Sequence, residues 1–157
     1  MLFRDFITPE RIISNLSAST KAEAISELAE PLFATGVLGP DLREGILSAL
    51  FHREELGSTA IGQGLGLAIP HAKHPGIRGL VGVFGRSVEG IDFGSPDGQP
   101  VHLFILLLSN RECANKHLAA LAYISKKFRG VDLRNLLLKA GNQAQIADFL
   151  EESDNEE

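Results

Sequence analysis

The sequence predicts a single α/β domain in which a mixed β-sheet is flanked by helices on both faces. Helix-capping signals and short apolar runs follow one another along the chain, as expected for this class. The most apolar run, residues 101–108, is hydrophobic at every position except His102, which is typical of a central strand covered on both sides. With 157 residues, the chain is long enough for one domain with its own core.

Two helices are predicted in the first part of the chain. Residues 7–13 resemble a helical turn, with proline at its first position. Thr20 then begins a capping-box pattern, and apolar residues at helical spacing continue as far as a stop at Gly36. A second helix is expected from about Pro40 to near Gly57, with a buried stripe formed by Leu42, Ile46, Ala49 and Leu50.

A glycine-rich stretch follows, in which residues 57–64 read Gly-Ser-Thr-Ala-Ile-Gly-Gln-Gly. The apolar residues 67–69 then predict a short strand that ends at Pro70, because proline has no N–H for a strand ladder. His71 would therefore lie at the carboxyl edge of the sheet, where α/β folds usually bind ligands. Glycine amides can form an anion-binding nest, but the spacing fits neither a dinucleotide fingerprint nor a nucleotide P-loop.

The second half of the chain predicts further strands and then three helices. Residues 80–84 form one strand, and residues 91–93 are a candidate for another short one. Asn115, Asp132 and Asn142 are the predicted N-caps of the three helices. The expected buried face of the first of these helices consists of Leu118, Leu121, Ala122, Ser125 and Phe128. His102, at the start of the central strand, is predicted to be structural.

Charge and composition exclude several classes of function. The five acids of residues 151–157 account for the whole net charge of −5, so residues 1–150 are neutral and show no basic stripe for nucleic acid. We therefore predict a domain at 1–150 and a solvated, disordered acidic tail at 151–157. The single Cys113 excludes an internal disulfide, and no apolar run approaches the about 20 residues that span a bilayer. We expect a cytoplasmic protein without membrane insertion.

The motifs resemble the active-site signature of the fructose/mannitol-type enzyme IIA domain of the phosphoenolpyruvate-dependent phosphotransferase system. The nitrogen-regulatory enzyme IIA proteins are its stand-alone members. The resemblance rests on residues 57–64, on Ala-Ile-Pro-His at 68–71, and on His-Leu-Xaa-Xaa-Leu-Ala-Xaa-Ile-Ser at 117–125. It covers nearly the whole chain before the tail, and it implies a mannitol-type enzyme IIA-like fold.

The resemblance also implies the site residues, with His71 as the phosphorylated residue, His117 beside it and Arg53 at the active site. Neutral imidazole is nucleophilic near pH 7, and its N–P bond breaks readily. We predict that His71 carries the phosphoryl group, that His117 donates a hydrogen bond to its oxygens, and that Arg53 supplies positive charge. Ser58 and Thr59 are additional candidate phosphate donors. No metal and no cofactor are required.

The resemblance implies an HPr-like phosphocarrier protein as phosphoryl donor and leaves two roles open. A regulatory, nitrogen-type enzyme IIA would control target proteins according to its phosphorylation, whereas a sugar-transport enzyme IIA would pass the group to an enzyme IIB. The run Ser-Thr-Ala-Ile-Gly favours the regulatory type. Ala72 and Lys73 stand where members often have Gly-Arg, so the sub-family stays open.

Two readings from other classes remain. One is a metal enzyme that binds zinc through His71, His74 and His117, although the helical zincin motif is absent from the sequence. The other is a binding module that has kept the fold and acts by contact alone. The joint presence of the three predicted site residues argues against a dead site, but not against a regulatory one.

Overall fold

A mixed sheet forms the centre of the computed structural model, which describes residues 1–156. Within these residues its strands are β1 (Ile12–Ile13), β2 (Leu67–Ala68), β3 (His71–Lys73), β4 (Leu80–Ile91) and β5 (Val101–Ser109). The strands β1, β4 and β5 lie side by side, and the free edge of β5 pairs with β2 and then with β3. The β4–β5 pair is antiparallel and the other pairs are parallel, which confirms the predicted mixed sheet.

Helices cover both faces of the sheet, as predicted. In the described part of the chain they are α1 (Lys21–Ala34), α2 (Arg43–Glu55), α3 (Ala114–Phe128), α4 (Val131–Lys139) and α5 (Gln143–Asn155). The first two pack on one face, against alternate residues of β5 such as Leu106 and Leu108. The last three pack on the other face, against Ile105 and Leu107, together with the N-terminal segment. None of these helices is long and apolar enough to span a membrane.

Two of the predicted helix starts are confirmed and two are corrected. Thr20 caps α1 by accepting a hydrogen bond from Glu23 N at 3.2 Å, and Asn142 caps α5. The helix α3 begins after Cys113 instead of Asn115, because a short 3-10 helix capped by Asn110 leads directly into it. The helix α4 begins after Gly130, which places Asp132 in its first turn, where a carboxylate suits the helix dipole.

Two further predictions, the bounds of the strands after residue 80 and the buried face of α3, differ from the structure. Residues 80–84 and 91–93 do not form separate strands, because β4 runs through an irregularity between Arg86 and Ile91. Leu118 of α3 is 64% exposed, and the buried stripe of that helix is His117, Ala120, Ile124 and Phe128. Phe128 is buried as predicted, whereas the other three buried positions lie one residue before the predicted Leu118, Leu121 and Ser125. As predicted, His102 is structural, with its Nδ1 2.9 Å from Ser87 O.

The acidic tail is helical through Asn155, so the prediction of a disordered end is wrong for residues 151–155, and Glu157 lies outside the described residues. Asp154 is only 7% exposed. Its carboxylate accepts hydrogen bonds from Phe3 N at 2.7 Å, Arg4 N at 3.1 Å and Tyr123 Oη at 2.6 Å. Two of these donors are free amides of an N-terminal 3-10 helix. The C-terminal helix is therefore hydrogen-bonded to the N-terminal segment of the chain.

We expect Asp154→Ala to lower the free energy of unfolding by about 3 kcal/mol, because it leaves buried donors without an acceptor. Truncation at Leu150 should cost at least as much. Urea denaturation measures both effects. Glu152→Ala is the matched control, since it removes an exposed acid from the same helix and should change stability by less than about 0.5 kcal/mol. Equal stability of the Asp154 and Glu152 variants would contradict this account of the tail.

Candidate functional site

The register of the sheet determines where His71 lies. The strands β2 and β3 are two parts of one extended segment that is interrupted at Ile69 and Pro70. The predicted end of the strand at Pro70 is therefore only a gap, in which the proline carbonyl still accepts a hydrogen bond from Leu107 N at 2.9 Å. His71 pairs with Leu107, so its side chain lies on the α3 face of the sheet, two residues along β5 from that of Ser109.

The His71 ring has a defined tautomer. Its Nδ1 lies 2.7 Å from the carbonyl oxygen of Ile69. A carbonyl can only accept a hydrogen bond, so the proton is on Nδ1 and Nε2 keeps a free lone pair. Partial burial lowers the pKa of His71, the Ile69 carbonyl opposes this effect, and the positive charge of Arg53 lowers the pKa further. The ring is therefore mainly neutral at pH 7, with a bare Nε2.

His117 lies beside His71, as predicted. The ring centroids are 5.4 Å apart and the ring planes meet at 65°. His117 is 3% exposed, and its Nδ1 lies 2.6 Å from the hydroxyl oxygen of Ser109. Burial, followed by the neighbouring charges of His71 and Lys73, lowers the pKa of His117 to about 4. This imidazole is neutral at physiological pH, so it can offer an N–H but does not bring a positive charge.

Arg53 is half-buried near the end of α2, where its Nη1 donates a hydrogen bond to Gly57 O at 2.9 Å. After burial and the opposing Ile69 hydrogen bond, the positive charge of Arg53 also lowers the pKa of His71. The predicted stripe of the second helix is confirmed, because Ile46 and Leu50 are fully buried and Leu42 and Ala49 pack partly buried against the same core. The buried residues of α2 are Ile46, Leu50 and Glu54, and Arg53 is half-buried next to Glu54 in the chain.

Glu54 joins the predicted loop residues and was missed in the sequence. This carboxylate is 8% exposed and accepts hydrogen bonds from Lys21 Nζ at 3.0 Å, from Thr59 N at 3.3 Å and from the Thr59 hydroxyl. The Ser58 hydroxyl donates to Phe93 O at 2.6 Å. Both hydroxyl protons thus hold the loop in place. The available signal for Glu54 was its spacing of four residues from Leu50.

The glycines shape a turn and do not form an open anion nest. Residues 59–61 run antiparallel to β2, with Ile69 N donating to Thr59 O at 3.1 Å. Gly62 and Gly64 have φ values of 75° and 74°, which glycine adopts without steric cost, and Gln63 between them is also left-handed with a φ of 57°. The amide of Gly64 donates to the Asp97 carboxylate at 2.9 Å, so a side chain of the protein already occupies the turn.

The zinc site considered from the sequence is not assembled. His74 Nδ1 accepts a hydrogen bond from Gly76 N at 2.9 Å, which turns this imidazole towards the following turn. Across residues 1–156, no three His, Cys, Asp or Glu side chains come together in a way that could hold a metal ion. His74, the third ligand in the zinc hypothesis, therefore does not join His71 and His117.

The depressed pKa of His117 makes folding sensitive to acid. The unfolded chain takes up this proton near pH 6.5 and the folded chain near pH 4, so the unfolded state binds more protons between these values. We expect stability to be complete above pH 6.5 and to fall by roughly 3 kcal/mol as the pH drops to 4. Thermal unfolding between pH 4 and 8 measures the slope. In His117→Gln it should be shallower, and an unchanged slope would contradict the assignment.

Comparison with known proteins gives a consistent result. The family model for the phosphoenolpyruvate-dependent sugar phosphotransferase system, EIIA 2, matches residues 5–153. A nitrogen regulatory protein of Bradyrhizobium diazoefficiens is 39% identical over 145 residues, which are 92% of this chain and 91% of that protein. A fructose-specific EIIA component of Haloferax volcanii is 35% identical over 147 residues, or 93% of each chain.

A solved structure shows the same fold over nearly the whole chain. The crystal structure of nitrogen regulatory protein IIA-Ntr from Neisseria meningitidis superposes with a TM-score of 0.82 at 29% identity. The match covers 93% of this chain and 97% of that one.

Proposed function

Because this chain belongs to the EIIA 2 family of the phosphoenolpyruvate-dependent sugar phosphotransferase system, we propose that it carries a phosphoryl group on Nε2 of His71. The observation that carries the proposal is the hydrogen bond from His71 Nδ1 to Ile69 O. It holds the proton on the nitrogen that does not react and leaves the other nitrogen as a neutral nucleophile.

The surrounding residues suit the transfer step. The N–P bond of the donor breaks as a new bond forms between phosphorus and His71 Nε2, and the proton on Nδ1 does not move. The three transferring oxygens need charge stabilisation and alignment more than covalent assistance. Arg53 supplies a positive charge that lowers the pKa of His71, and His117 supplies a buried N–H beside the acceptor ring. Ser58 and Thr59 contribute indirectly, because their hydroxyls donate hydrogen bonds that hold the loop.

The donor we propose is an HPr-like phosphocarrier protein, and the role we favour is regulatory. The support is the 39% identity, over nearly the full length of both chains, to a protein named as a nitrogen regulatory protein. In this role the phosphorylation state of His71 would control contact with target proteins. The 35% identity to a fructose-specific EIIA component supports a second candidate, in which the group passes on to an enzyme IIB.

A reconstituted relay tests both steps. The protein is incubated with enzyme I, an HPr-type carrier and labelled phosphoenolpyruvate, and acid-labile label on the protein is the expected result. Omission of the carrier should prevent labelling. Addition of a fructose-type enzyme IIB then separates the roles, since rapid loss of label to that protein favours the transport role and retention favours the regulatory one. A protein that stays unlabelled while the carrier is fully phosphorylated would contradict the proposal.

Substitution of Arg53 should separate charge from geometry. Arg53→Lys keeps the cation and loses the planar fork of donors, so we expect slower phosphoryl acceptance than in the wild type but faster than in Arg53→Ala. The rate of labelling by the phosphorylated carrier measures the order. Arg43→Ala is a suitable control, because Arg43 lies on the same helix but pairs with Glu30 at an exposed position. Equal rates for all the variants would show that Arg53 takes no part.

A further inference from the structure

We propose that Ser109 is a positioning residue for phosphoryl transfer. Its hydroxyl donates a hydrogen bond to Nδ1 of His117 and so places the proton of that imidazole on Nε2. Ser109 Oγ and His117 Nδ1 are 2.6 Å apart. This inference rests on the proposed function, because it explains how His117 comes to offer an N–H to the phosphoryl group on His71.

The burial of Ser109 determines which atom donates. The residue is 0% exposed, so its hydroxyl proton cannot be given to solvent. Among the hydrogen bonds of residues 1–156, the Ser109 hydroxyl has a single partner, which is His117 Nδ1. If the ring donated from Nδ1, the hydroxyl proton would be buried without an acceptor, which is costly. The favourable arrangement is O–H to Nδ1, with the imidazole proton on Nε2.

The backbone of Ser109 holds this hydroxyl in a fixed place. The residue ends β5 and pairs with Lys73 of β3 on one side and with Leu80 of β4 on the other. Its carbonyl also accepts a hydrogen bond from His74 N at 2.9 Å. Because strands flank it on both sides, the position and direction of its Cα–Cβ bond are fixed, with the side chain on the face of the sheet that His117 packs against.

The two histidines are consequently held in opposite tautomers. His71 has its proton on Nδ1, bonded to Ile69 O, and exposes a bare Nε2. His117 has a bare Nδ1, bonded to Ser109, and keeps its proton on Nε2. One ring is therefore prepared to accept phosphorus and the other to donate a hydrogen bond. Protonation of His117 at Nδ1 would orphan the Ser109 hydroxyl, which agrees with the low pKa of that ring.

Long-range ¹H–¹⁵N NMR spectra of the unphosphorylated, full-length protein test the tautomers directly, since protonated and bare ring nitrogens have well-separated shifts. We expect a bare Nδ1 and a protonated Nε2 for His117, and the reverse for His71. A protonated Nδ1 in His117 would overturn the inference. This measurement needs no phosphoryl donor, so its outcome is independent of whether the proposed function holds.

Matched variants test the consequence for transfer. Ser109→Ala should accept phosphate about tenfold more slowly, and its His117 spectrum should lose the single tautomer. Ser109→Thr keeps the hydroxyl, and Ser109→Val has the same shape without it, so transfer should be faster in the threonine variant. If wild type is labelled and Ser109→Ala is labelled equally fast, Ser109 has no positioning role. If the wild type itself is not labelled, the proposed function fails, and with it the role in transfer.

Discussion

Replacement of His71 by alanine is expected to abolish phosphoryl acceptance from a phosphorylated HPr-type carrier. The proposed bond forms at Nε2, and the variant has no other nucleophile in that place. The buried neighbour His117 cannot substitute for it, because its Nδ1 is bonded to Ser109 and its Nε2 holds the proton in the proposed tautomer. Labelling should fall to the background seen without carrier.

The fold should survive this change. His71 is half-buried, and its side chain makes one hydrogen bond to the Ile69 carbonyl, so the cost in stability should be about 1 kcal/mol. His74→Ala is the matched control, since it removes an imidazole three residues away whose contact is with Gly76 and leaves the site intact. A folded His71→Ala protein that is labelled as fast as His74→Ala would contradict the assignment.

Replacement of His117 by alanine is expected to slow transfer about a hundredfold, because a preorganised donor to the transferring oxygens is lost. The buried face predicted from the sequence did not include His117, but the structure places it in the buried stripe of α3 at 3% exposure. We therefore also expect a loss of stability of about 2 kcal/mol, from the cavity and from the orphaned Ser109 hydroxyl.

A pair of amide variants separates the catalytic effect from the structural one. The amide of glutamine reaches about as far as Nε2 of histidine, whereas that of asparagine reaches only as far as Nδ1. His117→Gln should therefore transfer phosphate faster than His117→Asn. Single-turnover labelling, with melting temperatures of both proteins, gives the comparison. Rates that simply follow the melting temperatures would show that His117 serves packing alone.

Much of the fold follows from local signals in the sequence. Thr20 and Asn142 cap helices because their side-chain oxygens meet amides three residues away, a relation visible in the sequence. The strand at 101–109 follows from its apolar composition, which reflects helices packed on both faces. The adjacency of His71 and His117 was expected from the motifs, and the register of β3 on β5 now gives its structural basis.

The remaining features depend on contacts between distant parts of the chain. A run of acids looks solvated in the sequence, and nothing local shows that Asp154 meets the amides of Phe3 and Arg4. Glu54 was missed because its burial depends on Lys21, which lies on another helix and donates to its carboxylate. Ser109 was missed because its importance depends on His117, which lies on another element. The single local hint was a polar residue directly after the most apolar run.

The central claim is that phosphorus is bonded to Nε2 of His71, and one measurement tests it most directly. The ¹⁵N-labelled protein is phosphorylated through the enzyme I and HPr-type relay, and the nitrogen coupled to ³¹P is identified by NMR. We predict coupling to His71 Nε2, with the proton still on Nδ1 and donated to Ile69 O. Coupling to His71 Nδ1, or to a nitrogen of His117, would contradict the account.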